Sequence, residues 1–335
     1  MLEQKITNYQ EDFAQVYSMI AEAQSKVWRQ VNTTLIQLYW NIGRYVSEKI
    51  KREGWGKSVV DNMSNYITTK NPSIKGFSAR NIRRMSQFFD TYQGHEKLSA
   101  LLTETSWSNH LHILSKTKSI EEKQFYLELA SQHRYPERDF ARVIDSCTYE
   151  RAKLANLKWS ALLTELPVGV GHFKDSYIFE FLNLPDDHKE HDLRRALILH
   201  MRQFLLEMGP DFSLIGEEYP LQVGMKDFRI DLLMFHRGLN CMVAIELKTT
   251  EFHPGHMGQL QFYLEALDQD IKKPHENPSI GILICKTKDE KVVKYAMNRN
   301  MSPTMIAEYE TKLLNKTLLQ KKLNEFYDIQ HESIS

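Results

Sequence analysis

A chain of 335 residues predicts two or three domains, at about 100–200 residues each. Its 43 basic and 43 acidic residues cancel, so no global field draws it to nucleic acid or membrane, and 42% hydrophobic content with 11% aromatics excludes a disordered chain. The three cysteines (Cys147, Cys241, Cys285) lie far apart, with no CxxC pair, which excludes a zinc ribbon or a disulfide scaffold and suggests a reducing compartment. The opening MLEQKITNYQED lacks the apolar core of a signal peptide, and no apolar run approaches the roughly 18 residues of a membrane span. The expectation is a soluble, cytoplasmic protein with no membrane partner.

The first 150 residues read almost entirely as helix. Over 31–50, Leu35, Leu38, Tyr39, Ile42, Val46 and Ile50 recur at helical spacing. Gly54-Trp55-Gly56 breaks that pattern, a second helix is predicted over 57–69, and Asn71-Pro72 marks a loop. Ser78 is the expected N-cap of a helix from Ala79 to Tyr92, with Ile82, Met85, Phe88 and Phe89 on one side. Further helices are expected at 106–115, 119–133 and 136–157. Residues 171–187 read as loop with short apolar pieces, and a clear amphipathic helix covers 190–208. Strand-like runs follow at 217–223, 227–236 and 241–249, then a helix at 256–269 and a buried strand at 279–285. A helix at 289–299, a strand at 304–308 and an amphipathic tail helix at 311–327 end the chain. This order predicts an all-α N-terminal domain (1–157), a linker (158–187), an α/β domain with a mixed sheet flanked by helices (188–310), and a C-terminal helix and tail (311–335).

Chemistry concentrates on two of the strands. In CMVAIELKTT from Cys241, alternation places Met242, Ala244, Glu246 and Lys248 on one face and Val243, Ile245 and Leu247 on the other. The preceding strand carries one acid in its apolar run, Asp231. A two-residue turn at Gly238-Leu239, glycine first, sets Asp231 opposite Glu246 and Arg229 near Lys248. Two facing carboxylates destabilise a sheet unless a proton or cation lies between them. Mg²⁺ and similar hard ions use one or two carboxylates and complete their shell with water and phosphate oxygens.

Asp231, fourteen intervening residues, then Glu246-Leu247-Lys248, with a helix on either side, resembles the PD-(D/E)xK nuclease superfamily. The wider text is similar to the YhcG-like nucleases of bacteria: LRRALILHMRQFLLEMG, FRIDLLMFHRGLNCMVAIELKTTEFHPGHMGQLQFYLEALD and ENPSIGILICK. GFSARNIRRMSQFF and SWSNHLHIL resemble the helical N-terminal domain of that family. The resemblance implies a restriction-endonuclease-like fold and Mg²⁺- or Mn²⁺-dependent hydrolysis of phosphodiesters, most directly in DNA. Asp231 and Glu246 are implied to hold the metal, helped by the Leu247 carbonyl. Lys248 is implied to orient or deprotonate the attacking water. Gln259 and Tyr263 repeat a Gln-x-x-x-Tyr pattern, one helical turn apart, and are expected to touch phosphate or the lysine. For the first-helix acid, Glu190 lies about 60° from Leu193 on the helical wheel and is preferred over Asp192, about 100° away. Arg194 stands where relatives commonly carry an acid. That departure keeps a second expectation open, a catalytically inactive nucleic-acid-binding or assembly protein.

Gly54-Trp55-Gly56-Lys57-Ser58 is not a phosphate loop, since Lys51 occupies the required first glycine position. The pairs His188/His191 and His253/His256 lack a matching ligand set for zinc. Residues 51–100 carry nine basic side chains against four acidic ones. Within them Lys75, Arg80, Arg83 and Arg84 are the expected nucleic-acid contacts, with a solvated helix face as the plainer alternative. A homodimer is also expected, because cutting both strands of a duplex needs two sites.

Overall fold

The helical periodicity over 31–50 belongs to one long helix, α1 (Leu2–Glu53). The computed structural model describes residues 2–156, 173–185, 187–298, 302–321 and 323–324. Within them the chain forms two compact units, Met1–Glu137 and Arg138–Ser335. No helix among the described residues is long and apolar enough to cross a membrane. Most of the expected linker and the end of the expected tail helix lie outside the described residues.

The first unit continues with α2 (Lys57–Lys70), α3 (Ala79–Tyr92), α4 (Ser99–Glu104), α5 (Trp107–Lys116) and α6 (Ile120–His133). Ser78 caps α3 by accepting the Asn81 amide at 3.3 Å, and Ser106 caps α5 through Asn109 at 3.4 Å. The inward stripe of α1 is Asn32, Ile36, Tyr39, Val46 and Ser47, whereas Leu38 and Ile50 remain 43% and 39% exposed. The periodicity was therefore right and its phase partly wrong. Gly43 sits in this stripe, and a Cβ there would lie 2.0 Å from the Met85 carbonyl oxygen, so α1 and α3 meet backbone to backbone. Around that contact Phe88 packs edge-on against Trp107 (5.5 Å between centroids) and His110 (4.7 Å). Trp107 donates to Asn81 Oδ1 at 2.9 Å, joining the two family-like segments of this unit. His110 is fully buried, and burial pushes its pKa down to about 4, so it packs as a neutral ring.

The second unit begins inside what the sequence shows as helical front. The helix expected at 136–157 is two helices, α7 (Glu137–Asp145) and α8 (Thr148–Asn156), separated at Cys147 with φ 55°. Arg151 of α8 is buried and donates to Glu207 Oε1, to the Ser176 carbonyl at 2.7 Å and to the Ser146 carbonyl at 2.7 Å. Arg142 of α7 reaches the other Glu207 oxygen at 3.1 Å. Burial alone would raise the Glu207 pKa, but Arg151, Lys174 and Arg142 outweigh it and hold the carboxylate well below its usual range.

One six-stranded sheet carries this unit, in the order β1-β6-β5-β4-β3-β2. Its strands are β1 (Ser176–Ile178), β2 (Phe212–Val223), β3 (Lys226–His236), β4 (Cys241–Glu251), β5 (Asn277–Thr287) and β6 (Thr304–Glu310). The β2-β3-β4 meander is antiparallel, and β4-β5-β6-β1 is parallel, which makes the sheet mixed as expected. β1 falls where a loop was expected, because three residues are too few to show a period. The single helix expected over 190–208 is divided into α9 (Glu190–Leu199) and α10 (Met201–Met208) at His200, with no proline or glycine to signal it. Leu193, Leu197, Phe204 and Met208 pack on one sheet face with Val243, Ile245 and Leu247. Helix α11 (Gly255–Ala266) covers the other, through Met257, Leu260, Tyr263 and Leu264 against Met242, Ala244 and Leu283. A π-helical turn at Leu267–Ile271 and helix α12 (Glu290–Met297) follow, and residues 316–321 and 323–324 are helical within the expected tail helix.

Gly43→Ala is expected to lower the stability of the helical unit by about 1–3 kcal/mol, the usual cost of forcing atoms into a packed contact. Urea unfolding followed at the Trp107 cluster checks this, and an unchanged midpoint would show that α1 and α3 do not approach so closely.

Candidate active site

The β3–β4 ladder pairs Leu232↔Ile245 through His236↔Cys241, the register inferred from the sequence. The turn itself is different. It is a four-residue loop, Arg237–Asn240, in which Asn240 takes the left-handed conformation (φ 49°) and Gly238 does not. Both turns are centred on the same bond, so the register survives the change. Beyond Leu232↔Ile245 the strands stop pairing, and Asp231 and Glu246 are the next residues on each. β3 also changes face there: Ile230 and Leu233 pack on the α11 side, Leu232 and Met234 on the other.

Around that fork the side chains converge. Asp231 accepts the Leu247 amide on Oδ2 at 2.9 Å, and its own amide points to Glu246 Oε1 at 3.4 Å. Lys248 Nζ lies 3.6 Å from Glu246 Oε2 and 3.3 Å from Glu190 Oε2. Thus Glu190 reaches the cluster, while Asp192 accepts from the Lys189 amide at 3.2 Å and closes the first turn of α9. Arg229 does not face Lys248; it stands 3.9 Å from Glu218, because β3 has turned to β2 by that point. Gln259 donates to the Tyr263 hydroxyl at 2.7 Å, so the expected four-residue pair bonds to itself. Two further side chains take part: Arg194, noted in the sequence only as a departure from its relatives, and Glu218, which was not singled out. Arg194, one turn after Glu190, places Nη1 2.7 Å from Asp231 Oδ1 and Nη2 2.9 Å from Glu218 Oε1. Its four-residue step from Glu190 was a usable signal; Glu218 had none.

Glu246 is only 2% exposed, and burial together with the adjacent Asp231 charge pushes its carboxyl up to about 8, against the partial relief from Lys248. Burial opposes the charge on Lys248, but Glu246, Glu190 and Asp231 more than offset it and raise its pKa. Burial and the neighbouring Lys248 and His253 lower that of His256, at the start of α11. Among the described residues no group of three or more His, Cys, Asp or Glu is arranged to hold a metal ion. What the fork offers is two carboxylates from adjacent strands, hard oxygens of the kind Mg²⁺ uses in ones and twos. In the first unit, Lys75 and Arg80 are exposed and Arg84 half-buried, whereas Arg83 is paired with Asp61.

The raised Glu246 carboxyl has a stability consequence. Between its ordinary value of 4.5 and about 8, the folded chain keeps a proton that the unfolded chain has lost, so this contribution is complete below 4.5 and is lost as pH rises to 8. In chelator, Glu246→Gln is expected to flatten that decline and to stabilise the protein at pH 8, by on the order of 1–3 kcal/mol. Thermal unfolding from pH 5 to 8 measures it; parallel curves for the two proteins would contradict the buried, charge-opposed setting.

Two domain families account for most of the sequence: the YhcG PDDEXK nuclease domain matches residues 171–324, and the DUF1016 N-terminal domain matches 15–151. The Escherichia coli (strain K12) protein called "Putative nuclease YhcG" is 28% identical over 354 residues, spanning 94% of this chain and 93% of its own. A solved repair endonuclease from Pyrococcus abyssi shares 19% identity over 38% of this chain and 48% of that one, with a TM-score of 0.25, too low to equate the two arrangements. Residues 171–324 thus carry the YhcG PDDEXK nuclease domain and residues 15–151 the DUF1016 N-terminal domain, the YhcG-like architecture of a helical N-terminal domain ahead of a mixed-sheet PD-(D/E)xK-like α/β domain.

Proposed function

We propose that the protein is a divalent-cation-dependent nuclease hydrolysing phosphodiester bonds, most directly in DNA, at the fork between β3 and β4. The observation that supports this best is Glu246: a buried carboxylate beside Asp231, with the Lys248 ammonium 3.6 Å away. Such a cluster is costly unless a cation joins it. Asp231 and Glu246 would hold Mg²⁺ or Mn²⁺, which when bound supplies Lewis-acid stabilisation of the phosphoryl charge and a more acidic water. Lys248, kept protonated by its three acidic neighbours, orients the water and donates to the phosphate; its raised pKa argues against its taking the proton. Glu190 holds Lys248 from the other side. Tyr263, buried under β4, braces Gln259, whose amide oxygen is left to accept from water or substrate.

The helical domain would supply sequence-independent affinity through Lys75, Arg80 and Arg84, with less from Arg83, whose charge Asp61 already meets. Three buried free cysteines agree with a cytoplasmic setting. Cutting both strands of a duplex favours a homodimer. A second reading, a nucleic-acid binder without catalysis, draws on the Arg194 guanidinium seated on Asp231 and on the Glu190 carboxylate being turned to Lys248, with no set of three metal-holding side chains among the described residues.

Plasmid, linear and single-stranded DNA incubated with Mg²⁺ or Mn²⁺ distinguish the two readings. Cleavage should stop in chelator and fall roughly 100-fold or more in Glu246→Gln; undiminished cutting by that variant would remove the proposed site. In gel shifts, Lys75→Ala and Arg80→Ala should weaken binding uniformly across sequences, each flattening the salt dependence by about one phosphate contact. Binding that ignores salt would exclude this face.

A further inference from the structure

Arg194 occupies an unusual position. It reaches across from the first turns of α9 and bridges two acids on adjacent strands, Asp231 through Nη1 (2.7 Å) and Glu218 through Nη2 (2.9 Å). The bridge sits at the outer end of the carboxylate pair. Asp231 is left with Oδ2 on the Leu247 amide and Oδ1 on the guanidinium, so both of its oxygens already accept a strong donor. Glu218 is held in a costly way. Its φ of 43° is in the left-handed region, which a non-glycine residue adopts against steric resistance. It lies in β2 between Glu217↔Leu232 and Tyr219↔Ile230, the position facing Asp231. A strained residue is thus placed where its carboxylate shares the guanidinium with Asp231.

We infer that Arg194 is a resident competitor for the divalent cation: its guanidinium holds Asp231 Oδ1 until an ion displaces it, and Glu218 retains the displaced side chain at the mouth of the site. This rests on the proposed reading of Asp231 and Glu246 as the ion-holding pair. Arg194 is in these terms a positioning residue, acting through Asp231. Cation binding is then an exchange of one positive charge for another. The affinity of the site is set lower than the buried Glu246 and half-buried Asp231 carboxylates would give by themselves, so loading depends on the phosphate oxygens that complete the ion's shell. A lysine at 194 would compete less well, because a point charge lacks the planar fork that spans both acids.

Calorimetric titration of the full chain with Mn²⁺, without nucleic acid, tests this. Arg194→Gln should bind Mn²⁺ about tenfold more tightly than the unaltered protein, the scale of one charge-assisted hydrogen bond to a carboxylate. Arg194→Lys should fall between the two and keeps the test open if the glutamine variant does not fold. The Mn²⁺-induced rise in unfolding temperature should follow the same order, a readout that general loosening of α9 would not produce. If the unaltered protein binds Mn²⁺ and both variants bind equally or more weakly, the competitor role is overturned and the ion site stands. If no folded form binds Mn²⁺, with Asp231→Asn indistinguishable from the rest, both the competitor role and the ion site are overturned.

Discussion

Two carboxylates at the point where paired strands part are the constraint around which the α/β unit is arranged. Had β3 and β4 stayed paired past Leu232↔Ile245, Asp231 and Glu246 would have formed a cross-strand like-charge pair inside a ladder, which a sheet does not tolerate without compensation. The structure ends the ladder one step earlier, turns β3 so that Ile230 and Leu232 face opposite cores, and sets two cationic side chains beside the carboxylates. Lys248 approaches along β4 and Arg194 from α9. The cluster is balanced without becoming inert: Glu246 stays buried and reluctant to ionise, and the compensating charges are carried by two long side chains, Lys248 and Arg194.

Much of this was legible in the sequence, because strand pairing follows simple arithmetic. Alternation in CMVAIELK separated Glu246 from Leu247, and the spacing about Gly238-Leu239 gave the register even though the turn type was wrong. Ser78 revealed the start of α3 by its capping chemistry. The family-like text then turned a common Asp and Glu-x-Lys pattern into a specific one. The phase of α1 was less legible, since its stripe is selected by α3, and the sequence does not say which helix will lie against Gly43. The face change at Asp231 was hidden as well: period-two reasoning assumes that a strand keeps its faces.

The part least accessible from the sequence was the ionic centre that joins α7 and α8 to the sheet. Charged residues are usually found outside, and nothing in the sequence singles out Arg151 or Glu207 as exceptions. They are instead buried, and Glu207 satisfies the Ile178 amide at 3.0 Å as well as Arg142 and Arg151. Removing one partner from such a cluster leaves an uncompensated charge in a low-dielectric interior, so its members stabilise the unit only as a set. This is why α7 and α8, continuous in sequence with the helical front, pack as part of the second unit.

The three-residue β1 has a consequence for how the chain is made. Its hydrogen-bonding neighbour is β6, so Ser176 meets Glu308 and Ile178 meets Glu310, the last strand of the sheet to leave the ribosome. Until then the early edge of the α/β unit has no strand to pair with, and Ser176 and Ile178 have their Arg151 and Glu207 contacts but no ladder to hold them. The helical front makes its α1–α3 contact at Gly43 and Met85 within the first 92 residues, so it is free to assemble during synthesis, while closure of the second unit awaits release of the C-terminal segment. Premature termination before β6 would therefore yield a folded front end attached to an open sheet with an unpaired strand, a natural substrate for chaperones and proteases.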